Sequence, residues 1–263
     1  MELNLNNKVA LVAASSTGLG LETALHLSLE GAKVIITSRS KEKLQKAASH
    51  IESRSNREPD YFPCDLTLKD QRETLISSIL QKHKKVDILI TNSGGPPTGP
   101  FVDFSEADWL SAFQLNFISI QSLISKLIGP MKQSGWGRIV NITSISAKQP
   151  IDGLILSNAV RAAVLGMAKT LSNELASFGV TVNNVCPGYT LTDRVKDLAG
   201  SLALQRGVSE EEVYRAWEDS IPMKRLGKPE ELASLICYLC SEQASYITGT
   251  TIQCDGGAIK SLF

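Results

Sequence analysis

The stretch "GLILSNAVRAAVLGMAKTL" at residues 153–171 places a hydroxyl, Ser157, four residues before a guanidinium, Arg161. On a helix that spacing sets both on one face. A guanidinium hydrogen-bonds ribose hydroxyls, but it stays protonated and relays no proton. An aliphatic hydroxyl ionises more like water than like a phenol, so removing its proton costs on the order of 7–8 kcal/mol more. The pair suits binding better than acid–base work.

Two further stretches carry chemistry. In "AASSTGLG" at 13–20, Gly18 and Gly20 let the backbone approach a ligand, while Ser15, Ser16 and Thr17 offer hydroxyls. A strand, a glycine turn and then a helix aim N–H groups and the helix N-terminus at a phosphate; the bland alternative is a tight turn. In "IITSRSKEKL" at 35–44, no acid lies between Thr37 and Lys41. The carboxylate that would hold the 2′-OH of NAD is therefore missing, and Arg39 can clamp the 2′-phosphate of NADP in bidentate fashion. NADP(H) is preferred over NAD(H), with a surface arginine at a helix start as the alternative.

These residues need elements to hold them. Apolar β-branched runs at 8–14, 33–37, 61–64, 86–91, 137–143, 180–185 and 250–256 alternate with helical patterns near 19–30, 40–53, 68–83, 105–133, 154–178 and 229–241. That order predicts an α/β fold with a parallel sheet covered by helices on both faces. No Pro/Gly/Ser-rich linker interrupts 1–263, which predicts a single domain. Residues 189–228 are longer and more polar than an ordinary connection and contain a capped short helix at "SEEEVYRAW". A substrate lid is the functional reading there, a solvated excursion the plain one. The segment "GGPPTGPF" at 94–101 reads either as a rigid pocket rim or as a tight structural loop.

Composition excludes several function classes. Lys plus Arg equals Asp plus Glu at 27 each, with no basic stripe, which argues against nucleic acid or an anionic membrane surface. No apolar run approaches the roughly 18 residues of a membrane span, and the N-terminus lacks signal-peptide features, so a cytoplasmic location is expected. The five cysteines occupy apolar contexts that suit reduced core thiols. Cys237 and Cys240 form a CxxC within a helical pattern with no second pair to complete a zinc site, and no metal is expected. His26, His50 and His83 fall on outer helices or a helix end, in surface or packing roles.

Taken together, these motifs resemble the short-chain dehydrogenase/reductase family, in particular the classical branch that includes 3-oxoacyl-acyl-carrier-protein reductases. The resemblance covers about residues 5–258. "AASSTGLG" is similar to the family's glycine motif, "CDLT" at 64–67 to its adenine-binding segment, "TNSGG" at 91–95 to its NNAG segment, and "LNF" at 115–117 to the helix carrying its Asn. "VNITSIS" at 140–146 is similar to the strand end carrying its catalytic Ser, "VNNVCPGYTLTD" at 182–193 to its Pro-Gly turn, and "YITGTTIQCDGG" at 246–257 to its last strand.

The resemblance implies a Rossmann-type, doubly wound sheet of seven strands, a nicotinamide dinucleotide across the carboxyl ends of the strands, and hydride transfer to or from a carbonyl carbon. It implies that Ser16, Thr17 and Leu19 meet the pyrophosphate, with Ala14 also cofactor-binding, that Asp65 and Leu66 meet the adenine, and Asn92, Ser93 and Gly94 the adenosine ribose side. Pro187 and Gly188 would face the nicotinamide, and Thr190 and Thr192 its carboxamide. Asn116 and Ser144 would be catalytic, although a helix cap and a strand-end hydroxyl are the plain readings of those two. The family's usual assembly implies a homotetramer or dimer through helices at about 105–133 and 154–178.

Two places depart from the family pattern. Ala13 and Ala14 stand where Thr and Gly are usual, and alanine tolerates a positive φ only at steric cost. Thirteen residues beyond Ser144 and four further on, the family's YxxxK becomes Ser157 and Arg161. Replacement proton donors are Tyr189, directly after the Pro-Gly turn; Lys148, on the loop beside the pocket; or a water held by Ser144 and Ser157. The expectation is an NADP(H)-dependent oxidoreductase that interconverts a small-molecule carbonyl and alcohol through a non-standard proton donor. The alternative is a catalytically silent dinucleotide-binding homologue acting as a sensor or partner subunit.

Overall fold

The computed structural model describes residues 2–262. In chain order, β1 (Val9–Ala13) enters α1 (Gly18–Leu29), β2 (Lys33–Ser38) leads to α2 (Lys41–Ser55), and β3 (Asp60–Pro63) to α3 (Lys69–His83). Next come β4 (Ile88–Thr91), α4 (Glu106–Phe113), α5 (Ser119–Ser134), β5 (Gly137–Ile142) and α6 (Ile155–Leu175). Finally β6 (Val180–Pro187) precedes α7 (Asp193–Arg206), α8 (Glu210–Ser220), α9 (Pro229–Cys240) and β7 (Thr251–Cys254). Among the described residues these strands form one seven-stranded sheet, parallel throughout, in the order β3-β2-β1-β4-β5-β6-β7.

Alternate strand residues feed two separate cores, and this is why the strands read as continuous apolar runs. Ala10, Val12, Ile36, Ile88 and Ile90 meet α1, α2 and α9 on one face. Leu11, Ile35, Leu89, Ile139 and Val182 meet α3, α5 and α6 on the other. Helix α1 lies along α9, so the beginning of the chain is covered by its end. Cys237 and Cys240 belong to this α9 core, and burial pushes the Cys240 thiol up to about 12. No helix of the described residues is long and apolar enough to cross a membrane.

The structure corrects two element assignments. The single helix expected over 105–133 is divided by a π-helical turn at Gln114–Ile118, whose wider coil turns Asn116 inward. Residues 189–228 hold two helices rather than one. α7 was masked by its polar composition, yet Val195, Leu198, Ala199, Leu202 and Ala203 form its apolar stripe, and they pack on Val213 and Trp217 of α8 as a small core of their own.

Candidate functional site

The strand order reverses between β1 and β4, the place where open α/β sheets hold ligands beyond their carboxyl ends. A cleft of about 740 Å³ opens there. At its centre is the turn after β1. Ala14 sits at φ +47°, in the left-handed region, with the steric cost alanine incurs there. Ser16, Thr17, Gly18 and Leu19 line the cleft beside it. Thr17 caps α1 without a side-chain bond, and the first turn of α1 carries no acid, so the positive helix end stays uncompensated. These features fit a dinucleotide phosphate.

Gly20 and Ser15 play other parts than expected. A Cβ on Gly20 would stand 2.4 Å from the Ala14 carbonyl oxygen and 2.9 Å from Ser15 Cα; the glycine lets α1 start directly against the turn. Ser15 is fully buried, donates to the Val12 carbonyl at 2.7 Å and accepts from the Thr37 N–H at 3.1 Å. It ties β1 to β2 and offers nothing to the cleft.

One end of the cleft is lined by Arg39, Lys43, Asp65 and Leu66. Arg39 is exposed, and no carboxylate follows β2 before Glu42. Asp65 Oδ1 accepts from the Thr67 N–H at 2.9 Å and its hydroxyl at 2.7 Å. Partial burial acts to raise the Asp65 pKa, but these bonds and the nearby Arg39 outweigh it and hold the carboxyl below its usual value. Along the floor lie Asn92, Ser93 and Gly94, where a Cβ on Gly94 would meet nothing within 4 Å. Asn92 Nδ2 donates to the Ala14 carbonyl at 3.3 Å, linking β4 to the glycine turn. Asn116 is not a wall of the cleft. It lies beneath the floor, donating to Ser93 Oγ and the Gly94 carbonyl, both at 2.7 Å, while its Oδ1 is buried without a partner.

The other end gathers Ser144, Ser157 and Arg161 with Pro187, Gly188, Thr190 and Thr192. Gly188 is required by packing, since a Cβ there would stand 2.8 Å from Asp255 Cα. The loop after it is pinned to Gly227 by two backbone bonds of 2.9 Å. Ser144 Oγ accepts from the Ser146 N–H, and Ser146 Oγ lies 3.1 Å from Ser157 Oγ. Arg161 is buried and donates to the Thr143 carbonyl at 3.0 Å. No carboxylate pairs with it among the described residues; desolvation, opposed by the Cys186 thiol and aided by Arg194, pushes its pKa down to about 10.

Both side-chain donors expected to replace tyrosine lie elsewhere. Tyr189 follows the Pro-Gly turn, but its ring stacks on Trp217 at 4.5 Å, joins the α7–α8 core and does not line the cleft; burial there pushes its phenol up. Lys148 ends a single turn of 3-10 helix at 145–147, does not line the cleft, and bears on the thiol of Cys186. Sequence reasoning missed Thr143, Ser146 and Arg194. Alternating hydroxyls in "TSIS" signalled the first two, and recognition of α7 would have placed Arg194 in its first turn.

A family model described as enoyl-(acyl carrier protein) reductase matches residues 13–258. Dehydrogenase/reductase SDR family member 4 of Oryctolagus cuniculus is 34% identical over 260 residues, covering 98% of this chain and 96% of the relative. The 3-oxoacyl-(acyl-carrier-protein) reductase of Aquifex aeolicus is 32% identical over 257 residues, covering 98% and 99%. Among solved structures, L-sorbose reductase from Gluconobacter frateurii, complexed with NADPH and L-sorbose, superposes with a TM-score of 0.95 at 28% identity, over 100% of both chains. An actinorhodin polyketide ketoreductase with NADPH gives 0.93 at 30% identity, over 97% of this chain and 98% of that one. With relatives matched along nearly their whole length and the same doubly wound sheet beneath the cleft, the chain belongs to the classical short-chain dehydrogenase/reductase family of oxidoreductases.

Proposed function

We propose that this protein is an NADP(H)-dependent oxidoreductase that interconverts a small-molecule carbonyl and alcohol, using a buried cation and a water in place of a phenolic acid. One observation carries the reading: the Arg161 guanidinium is buried in the cleft wall beside two hydroxyls, makes one hydrogen bond, and has no carboxylate partner among the described residues. A bound nicotinamide supplies or accepts the hydride. Ser144 donates a hydrogen bond to the substrate oxygen. Arg161 stabilises the negative charge that develops there, because a fixed cation acts strongly where water is excluded. Ser157, oriented by Ser146, holds with Ser144 the water that delivers the proton. Asn116 fixes the 93–94 loop.

Support for NADP(H) comes from Arg39 and the absence of an acid after β2, and from the NADPH named in the sorbose reductase and ketoreductase structures. Fluorescence titration followed by absorbance assays on a panel of carbonyls and alcohols tests the reading. NADPH is expected to bind more tightly than NADH, and Arg39→Ala to weaken NADPH far more than NADH. Turnover is expected to survive Tyr189→Phe, to fall with Ser157→Ala and to be lost with Arg161→Met. Among the described residues the cleft lining includes no tyrosine or histidine, which favours a second reading, a silent dinucleotide-binding homologue. Tight NADPH binding without turnover across the panel would establish it.

A further inference from the structure

We propose that Arg194 is a second cofactor-binding cation, which fastens α7 across the cleft onto the pyrophosphate of a bound dinucleotide. The proposal rests on the reading of the cleft as a dinucleotide site. Arg194 stands in the first turn of α7 and lines the cleft. Its Nη2 reaches the Pro96 carbonyl at 3.4 Å, the long end of a hydrogen bond, and lies 3.1 Å from where a Cβ on Gly95 would stand. The side chain therefore spans the cleft from α7 to the loop after β4, over Gly95, which has no side chain. Two residues earlier, Thr192 meets the glycine turn: a Cβ on Gly18 would stand 3.5 Å from Thr192 Cγ2. The start of α7 thus touches both sides of the path between the two ends of the cleft.

The charges agree. The turn at 13–20 contains no Lys, Arg or His, so it has no side-chain cation for a doubly charged pyrophosphate. Among the described residues Arg194 makes no ion pair, and Asp193 beside it associates instead with Lys196 at 3.8 Å. Arg194 and Arg161 bear on one another, and among the described residues neither is paired with an acid that would relieve the repulsion. A pyrophosphate accepting bidentate bonds from the guanidinium relieves it and replaces a weak bond to Pro96 with charge-assisted ones.

Fluorescence titration of the full-length protein with NADPH and with NADH reads the effect. Arg194→Met is expected to raise both dissociation constants by a similar factor of about tenfold, since the pyrophosphate is common to both, and to flatten their salt dependence. Arg194→Lys is expected to restore part of the loss. NADPH is also expected to slow amide exchange over 192–206 in the wild type but not in Arg194→Met. Unchanged affinities in Arg194→Met overturn the proposal, as does a KM increase confined to anionic substrates with cofactor affinity intact. A wild-type protein that binds neither dinucleotide overturns this proposal together with the reading of the cleft.

Discussion

At the scale of single residues, Arg161 concentrates the unusual chemistry of the cleft. Its charge is held in a wall with no histidine, so kcat/KM is expected to stay flat from about pH 6 to about pH 9. Desolvation lowers the guanidinium's folded-state pKa from its ordinary value to about 10, so the charged form and the rate should be lost as pH rises through that value. A bell-shaped profile with a limb near pH 7 would point to a different acid. Ala14 yields a second prediction. A left-handed alanine costs about 1–2 kcal/mol, and glycine's extra chain freedom about 0.5–1 kcal/mol, so Ala14→Gly should stabilise the fold by up to about 1 kcal/mol, raising Tm by about 2 °C in a thermal melt. Residue types and spacing marked this turn and the 157/161 pair. They could not give side-chain direction in irregular backbone: Ser15 turns inward to tie β1 to β2 while Ser16 faces the cleft, and Tyr189 is drawn away by Trp217, 28 residues downstream.

Among the elements, the strands were the most legible, because burial on both faces forces long β-branched runs. Helix α7 was legible in its spacing but not in its composition: its apolar stripe serves only the small core it shares with α8. The π-helical turn had no local signal, since the bond that uses it, Asn116 to Ser93 and Gly94, joins segments 22–23 residues apart. The α7–α8 unit depends on Trp217, only 7% exposed, with Tyr189 stacked on it and Tyr214 edge-on at 5.5 Å. Trp217→Ala removes a side chain whose loss costs about 3–5 kcal/mol in a packed core. The two cores flanking the sheet do not include it, so the damage is expected to stay local: limited proteolysis should cut within 189–228 while the remainder of the chain resists. Simultaneous cleavage throughout the chain would show that this unit and the sheet unfold together.

On the scale of the whole molecule, the apolar surface that remains outside the cores is informative. Leu110 is 63% exposed on α4, within the 105–133 region through which the family resemblance implies assembly, and Phe101 and Val102, 66% and 85% exposed, lie just before it. Leu110→Arg is expected to lower the mass measured by light scattering from that of an oligomer towards that of one chain. A mass unchanged from an oligomeric wild type would remove this face from the interface. Sheet topology has a different bearing, on synthesis. β1 is hydrogen-bonded to β4 as well as β2, and α1, which follows β1 directly, is covered by α9 near the end of the chain. A nascent chain emerging from the ribosome therefore carries the apolar side of α1 uncovered until residues 229–240 are made. The packing of α1 is therefore completed only after α9 is made, and a ribosome stalled before α9 would hold a species that needs a chaperone.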